Sequence, residues 1–361
     1  MSKKSEYCDD DLSEINTFDT GSVKKKGALR KILNLLIVFF ALFLVAAVSV
    51  KMDLIRLIKG YFYDDSVKYN LMYDFSTVCG EARAQSAAEI KTRKPIYALE
   101  LDRYVAPEPD PSKYDDNFQN YSDSTIDVHY YKERMHDSWF HFMEVRIKHP
   151  SQFRMALAND SYGSSRRLPH LIASDVNAVA AVNGSFYNRR WGGVLIYRRE
   201  MLRNRPYSAD TLLIDADGNF HIVDDKHIEE SRVLEQYDIV NALTFGPELV
   251  RDGQALKIKN GFWEPYTDEP RTAICQFEDD LHYLICLAEG RNKVSVGVTM
   301  SVFTRELAAK GVKCAYNLDG GQSGTMIIGN RVKNRGGWGP EKAQGDILYF
   351  ATALEENERD S

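Results

Sequence analysis

Short apolar runs separated by polar turns dominate the chain beyond residue 129 and predict many strands. We expect strands at Phe140–Ile147, Phe153–Ala158, Ala178–Val182, Val194–Tyr197, Met201–Leu202, Thr211–Ile214, Phe220–Val223 and Val312–Tyr316. Beyond residue 129, two segments show helical periodicity: Arg167–Asn177 and the amphipathic Thr299–Lys310, which Gly311 would end. Many short strands with few helices predict an α+β fold, built as a single mixed-sheet domain.

The clearest apolar stretch lies near the N-terminus and predicts a membrane anchor. Ile32–Val50 contains no charged residue, and at about 1.5 Å per residue it nearly spans a hydrocarbon core of about 30 Å. Lysines and an arginine concentrated at 24–31 place the N-terminus in the cytoplasm and the rest of the chain outside. A cleaved signal peptide ending near Ala47-Val48-Ser49 is the alternative, but the apolar run is longer than such peptides need. The sequence thus predicts a single-pass protein of the cell membrane with an extracellular C-terminal domain.

These patterns divide the chain into five segments. We expect a disordered cytoplasmic tail (1–31), a transmembrane helix (32–50), a juxtamembrane and spacer region (51–128), one folded domain (129–354) and a polar tail (355–361). Within the third segment, Ala106–Ser124 is rich in Pro, Asp, Asn and Ser. This composition predicts a solvated spacer that separates the domain from the membrane.

Charge and cysteine content narrow the classes of partner. A formal net charge of −6 and the lack of a basic patch with interleaved aromatics argue against nucleic acid as a partner.

The cysteines are predicted to be free thiols. With Cys8 in the cytoplasm, four cysteines remain outside, and we expect them to be buried free thiols rather than disulfides: Cys79, Cys275, Cys286 and Cys314. A two-residue turn at Asp280-Leu281 would place Cys275 opposite Cys286. Neither CxxC nor HExxH occurs, so a zinc centre is not expected, and the residues require no cofactor.

The segment NLDGGQSGTM, residues 317–326, carries the strongest chemical pattern. It follows a predicted buried strand and joins an acid, Asp319, to two glycines and short hydroxyl groups. Gly320 and Gly321 permit a sharp turn with exposed backbone N–H groups, which suit an oxyanion, while Asp319 would stand at its mouth as a general acid or base. The alternative is a glycine-rich turn in which the aspartate caps its own backbone.

Six further motifs accompany this one in a fixed order. They are AVNGSFY (Ala181–Tyr187), GGVLIYRREML (Gly192–Leu202), TFGPELVRDG (Thr244–Gly253), EPRTAI (Glu269–Ile274), EGR (Glu289–Arg291) and GDILYF (Gly345–Phe350). From Phe140 to Phe350 the series resembles the phosphodiester glycosidase family, and most closely its membrane-anchored bacterial branch associated with exopolysaccharide. The chain departs from the family pattern at Gln322 and Gly324, where glycine and serine are usual.

The resemblance implies roles for particular residues. Arg271 would grip phosphate oxygens, Asp319 would act as general acid or base, and Glu289 would supply a second carboxylate. Substrate contacts are implied for Asn183, Gly184, Ser185, Gly320, Gly321, Ser323 and Arg291.

The function implied by the resemblance is hydrolysis of the sugar–phosphate linkage in a cell-surface polysaccharide or its precursors. Two rivals belong to other classes. One is a non-catalytic module that binds or organises polysaccharide at the membrane. The other is a metal-assisted phosphodiesterase in which Asp319, Glu289 and Asp346 bind calcium or magnesium through oxygen.

Overall fold

The computed structural model of the chain describes residue 99 and residues 104–189, 192–258, 266–335, 339 and 341–354. The predicted membrane segment 32–50, both predicted tails and Cys79 lie outside these residues. Within the described ranges, no helix has both the length and the apolar character needed to cross a membrane.

Strands make up most of the described secondary structure. In chain order they are β1 (Asn120–Ser122), β2 (Ile126–Met135), β3 (Ser138–Ile147), β4 (Phe153–Leu157), β5 (Ala180–Asn183), β6 (Gly193–Tyr197), β7 (Glu200–Arg205), β8 (Asp210–Asp215), β9 (Phe220–Asp224), β10 (Ile239–Thr244), β11 (Glu248–Arg251), β12 (Gln254–Ala255), β13 (Arg271–Gln276), β14 (His282–Ala288), β15 (Cys314–Leu318), β16 (Met326–Ile328), β17 (Arg331–Val332) and β18 (Asp346–Phe350). The α-helices are α1 (Pro169–Asp175), α2 (Ile228–Ser231), α3 (Val233–Gln236) and α4 (Met300–Ala309).

These strands form three sheets. The first has the order β1-β2-β3-β14-β13-β15-β11-β12, the second β7-β6-β10-β8-β9 and the third β17-β16-β5-β18-β4. Every described pairing between these strands is antiparallel, for example Thr272 of β13 with Leu318 of β15. The α+β class is therefore confirmed in its coarse form, mostly strands with a few helices. The expectation of one mixed sheet is wrong, because hairpins and long connections pair all these strands in opposite directions.

One apolar core is shared by all three sheets, and helices cover their other faces. Strand β14 illustrates why both faces are apolar: Ile285 faces the shared core, whereas its neighbour Cys286 faces the cluster that contains Phe303 of α4. Helix α1 packs on the third sheet, and α2 and α3 pack on the second. The shared core holds the ends of strands from different sheets together, and the candidate site is built at such ends.

The two predicted helices are found within a few residues of their expected bounds. Helix α4 begins after Thr299, whose side-chain oxygen accepts a hydrogen bond from the N–H of Val302 at 3.3 Å. It ends before Gly311, which adopts a φ of +78°. The predicted strands at Val194–Tyr197 and Met201–Leu202 pair as the hairpin β6–β7, and those at Thr211–Ile214 and Phe220–Val223 pair as the hairpin β8–β9.

The stretch predicted to be a solvated spacer is packed against the domain instead. Strand β1 pairs with β2, and Tyr121 is buried in the shared core. Ala106 is buried beside α1, and its backbone N–H donates to Val176 O at 3.2 Å. The composition of 106–124 misled the prediction because a few apolar residues, spaced among many polar ones, are sufficient to anchor a surface segment. Strand β2 likewise begins at Ile126, before the expected domain boundary at 129.

Cys275, Cys286 and Cys314 are free thiols, as predicted. The pairing of Cys275 with Cys286 that a two-residue turn would give does not occur, since Cys275 pairs with Leu284 and Cys286 with Ala273. A longer turn between β13 and β14 shifts the register by two residues. Both thiols remain on one face, where burial raises their pKa well above the usual value.

Candidate active site

The segment 319–325 carries the chain from the first sheet to the third. It leaves β15 after Leu318, which pairs with Thr272, and enters β16 at Met326, which pairs with Val182. Gly320 passes so close to β13 that a Cβ there would lie 2.5 Å from the backbone oxygen of Pro270. A side chain at this position would therefore push the two strands apart, which explains the glycine.

Arg271 and Asp319 lie side by side at the ends of neighbouring strands, because the pairs of the β13–β15 ladder end one residue before them. Their predicted proximity is thus met. The guanidinium of Arg271 is nevertheless buried, and it donates from Nε to Val298 O at 3.2 Å and from Nη2 to Thr267 O at 3.0 Å. These two hydrogen bonds brace the segment that precedes β13. Burial of the side chain, rather than a lack of remaining N–H donors, separates the guanidinium from a phosphate in solvent.

Asn183 ties the third sheet to the 319–325 segment. Its Nδ2 donates to the backbone oxygen of Asp319 at 2.7 Å, and its Oδ1 accepts from the N–H of Thr325 at 2.9 Å. The side chain is fully buried. The predicted contact between this amide and a sugar is therefore wrong: both ends are used inside the protein, where they fix the position of Asp319.

Gly184 and Ser185 surround a buried carboxyl group, that of Asp346. The Ser185 N–H and Oγ–H donate to Asp346 Oδ2 at 2.8 and 2.9 Å. A Cβ on Gly184 would lie 2.3 Å from the same oxygen, so glycine is required for this approach. Neither residue presents a side chain to solvent, and both support the site rather than line it.

Asp346 lies in an environment that favours its neutral form. Burial raises the pKa of Asp346 to about 7, against the opposing effect of the two Ser185 hydrogen bonds; the charge of Asp319 raises it further, while Arg203 lowers it. Its Oδ1 is buried and has no hydrogen-bond partner in the described part of the chain. The sequence pointed to Asp346 only as a metal ligand, because burial of a carboxyl group is not visible in a motif.

Glu289 is buried at the end of a hydrogen-bonded chain of side chains. Its Oε1 accepts from His141 Nε2 at 2.9 Å and from the Arg335 N–H at 2.8 Å, and its Oε2 accepts from Ser295 Oγ at 3.3 Å. Burial alone would raise the pKa of Glu289, but these hydrogen bonds outweigh it and the pKa is lowered. An ionised carboxylate can only accept, so Nε2 of His141 carries hydrogen, and its Nδ1 lies 2.8 Å from the hydroxyl of Tyr130.

Glu289 therefore stabilises the site from the protein interior and does not face a substrate. Among the described residues, no group of three or more His, Cys, Asp or Glu side chains is arranged to hold a metal ion.

Gly321 and Arg291 lie against each other on one side of the segment. The N–H of Gly321 donates to Pro270 O at 2.9 Å, so this amide is engaged and does not serve as the predicted oxyanion donor. Arg291 forms an ion pair with Glu269, and its Nη1 lies 3.3 Å from the position that a Cβ of Gly321 would occupy. Arg291 thus places a cation beside the turn, partly exposed to solvent.

Three residues that were not predicted as site residues, Lys342, Phe186 and Arg189, lie close to one another near Ser323. Lys342 donates from Nζ to Ser323 Oγ at 3.0 Å, and it lies 5.4 Å from the centre of the Phe186 ring. Arg189 also lies 5.4 Å from the centre of that ring. Ser323 is itself buried, whereas Lys342 and Phe186 are half-buried and Arg189 is exposed. The signal in the sequence was the basic residue that follows AVNGSFY and the lysine that precedes GDILYF.

The predicted site residues thus separate into two groups. Arg271, Glu289, Asn183, Gly184, Ser185 and Ser323 are buried and hold the site together. Asp319, Gly320, Gly321 and Arg291 are partly accessible, and Phe186 and Lys342 join them. A half-buried carboxylate beside several cations can exchange a proton with a bound anionic substrate.

Comparison with known proteins identifies the family of this domain. Residues 176–351 match the family model described as phosphodiester glycosidase. Comparison with curated proteins finds no match.

Solved structures add a likeness of fold. The catalytic domain of zebrafish N-acetylglucosamine-1-phosphodiester alpha-N-acetylglucosaminidase, auto-inhibited by its pro-peptide, aligns over 73% of this chain and 92% of its own, with 16% identity and a TM-score of 0.51. A hypothetical protein from Synechocystis aligns over 62% of each chain, with 14% identity and a TM-score of 0.45. The matched segment contains Asn183, Arg271, Asp319 and Asp346, and through it the chain belongs to the phosphodiester glycosidase family.

Proposed function

We propose that this protein is a hydrolase that cleaves the sugar–phosphate linkage of glycosyl phosphodiesters. The family match supports this class of reaction. The observation that carries the proposal is the arrangement around Asp319. Its backbone is held by Asn183 from another sheet. Burial lowers the pKa of Lys342, and the charge of Asp319 partly opposes that effect. A fixed carboxylate beside cations suits a substrate that combines a sugar with a phosphate.

In the proposed reaction, Asp319 acts as general base. It accepts a proton from water as the water oxygen bonds to the anomeric carbon. The bond from that carbon to the phosphate oxygen breaks, and the phosphate monoester leaves with the electron pair. The departing phosphate monoester is a weak base, so it is a fair leaving group without prior protonation. Asn183 contributes by holding the backbone of the base itself, and Arg271 by holding the segment before β13, against which Gly320 packs.

The proposed setting is the outer surface of a bacterial cell membrane. The apolar segment 32–50 and the basic residues before it support a single-pass anchor with the catalytic domain outside. The substrate class in that setting is a cell-surface polysaccharide, or a precursor, that contains a phosphate-linked sugar.

The test uses the full-length protein in detergent with a panel of sugar-1-phosphodiesters in water enriched in heavy oxygen. Mass spectrometry should detect released sugar that carries the label, because water attacks the anomeric carbon. Label in the phosphate would instead indicate cleavage of the phosphorus–oxygen bond and would contradict the proposed reaction.

Asp319→Asn should lower kcat by about 100-fold or more, as expected for loss of a general base. Asp116→Asn is the matched control, since Asp116 is exposed and distant in sequence from the site. Normal turnover by Asp319→Asn would refute the role of Asp319. Saturable binding of glycan without any product, in the wild-type protein, would favour a polysaccharide-binding module. Activity lost with a chelator and restored by calcium or magnesium would favour the metal-assisted reaction.

A further inference from the structure

We propose that Lys342 and Arg189 form a subsite for the phosphoryl oxygens of the substrate, beside Asp319 and the Phe186 ring. This inference rests on the proposed function, because it assigns a place to the phosphate of the glycosyl phosphodiester. It moves the phosphate from Arg271, which is buried and hydrogen-bonded to backbone carbonyls, to cations that a ligand can reach.

The geometry of the subsite follows from two connecting segments. Phe186 and Arg189 lie directly after β5, and Lys342 lies directly before β18, which is the neighbour of β5 in the third sheet. Lys342 and Arg189 both approach the Phe186 ring, each at 5.4 Å from its centre. Lys342 is also held by Ser323, to which it donates at 3.0 Å. The ring therefore provides one apolar surface that both cationic groups approach.

Within the described part of the chain, neither Lys342 nor Arg189 forms a salt bridge, although the charge of Asp319 acts on Lys342. Nearby arginines do form salt bridges: Arg167 pairs with Asp175, and Arg291 pairs with Glu269. Gathering unpaired like charges costs free energy unless an anion joins them. A bound anionic ligand would reduce the repulsion between these cations.

Electrostatic effects on Lys342 agree with this geometry. Burial lowers the pKa of Lys342, and the charges of Arg189 and Arg166 lower it further, while Asp319 raises it. A phosphate bound by Lys342 and Arg189 would therefore lie near the carboxylate of Asp319.

The subsite would also explain selection of the substrate. Phosphate oxygens accept charge-assisted hydrogen bonds from lysine and arginine, and these bonds strengthen as the leaving group gains charge. A neutral glycoside offers no such acceptor. We therefore expect the protein to discriminate against sugars that lack the phosphate, through binding as well as through the leaving group.

The experiment measures binding of inorganic phosphate and of dimethyl phosphate to the full-length protein by calorimetry. Lys342→Gln and Arg189→Gln should each weaken binding of both anions by about tenfold or more, as expected for loss of one charge-assisted hydrogen bond. Lys342→Arg should retain most of the affinity. Lys226→Gln is the matched control, since Lys226 is exposed in the short helix that follows β9. Because Arg189 is exposed, its replacement tests the subsite even where loss of the Lys342–Ser323 contact impairs folding.

The outcomes separate the subsite from the catalytic proposal. If Lys342→Gln and Arg189→Gln bind both anions as tightly as the wild type, or the wild type binds neither, the subsite is refuted. Asp319→Asn should bind the anions at least as tightly as the wild type, because it removes a negative charge from the site. If the cation variants lose anion binding but the wild type cleaves no diester, the subsite stands and the proposed hydrolysis fails.

Discussion

Replacement of Asp346 by asparagine should change how the stability of the protein depends on pH. Asparagine has nearly the same shape as aspartate, and its oxygen can still accept the hydrogen bonds from Ser185. The substitution removes only the ability to ionise. It therefore isolates the cost of placing a carboxyl group where no solvent reaches it.

The magnitude follows from the pKa of this group. Asp346 titrates near 3.8 when the chain is unfolded and at about 7 in the fold. Between these values the folded protein holds a proton that the unfolded chain has released, so the free energy of unfolding decreases as the pH rises through this window. The difference corresponds to about 4 kcal/mol, reached above the folded pKa and absent below the unfolded one. Asparagine carries no such dependence.

The opposing cost is the buried amide that replaces Oδ1, which has no partner among the described residues. Such a group costs about 1–3 kcal/mol, but this cost is the same at every pH. We therefore expect Asp346→Asn to be less stable than the wild type under acidic conditions and equal or more stable above neutrality.

Urea denaturation of the full-length protein, followed by fluorescence from about pH 4 to pH 8, would measure this difference. The stability difference between variant and wild type should shift by several kcal/mol across the series, in favour of the variant at high pH. Asp116→Asn, an exposed exchange of the same type, should show no comparable shift. A constant difference between Asp346→Asn and the wild type at every pH would refute the reasoning and show that Asp346 is ionised throughout.

Two further substitutions test the support of Asp319. Asn183→Ala should remove the partner of the Asp319 carbonyl and of the Thr325 N–H. We expect this to lower the free energy of unfolding by about 2–4 kcal/mol and to reduce kcat. A thermal unfolding midpoint equal to that of the wild type would contradict this expectation. Gly320→Ala should lower stability by about 1–3 kcal/mol, because its Cβ would meet Pro270 O at 2.5 Å, and unchanged unfolding and turnover would show that the backbone relaxes freely there.

The local pattern of the sequence was sufficient to locate most strands and helices. Apolar runs such as that of β14, and the capped amphipathic helix α4, depend on residues close together in the chain, so their positions were predicted within a few residues. The order of the motifs was likewise sufficient to identify the family and to single out Asp319.

Strand register and the packing of polar segments were decided by contacts that a local pattern does not contain. The turn between β13 and β14 shifted Cys275 two positions from the expected partner, and only the pairing with β3 and β15 on either side determines that register. Strand β1 joined the sheet despite its polar surroundings, because the shared core supplied a place for Tyr121.

The roles of the site residues were settled by tertiary structure in the same way. The chain itself determined which residue types are present around the NLDGGQSGTM segment, including a carboxylate, amides and several cations. Whether a given side chain faces solvent or is hydrogen-bonded inside the protein depends on residues more than a hundred positions away, as for Asn183 and Asp319. Burial and hydrogen bonding are properties of such distant contacts. For that reason only the fold decided that Asn183 and Arg271 are buried and stabilise the site, whereas Lys342 is partly exposed to solvent.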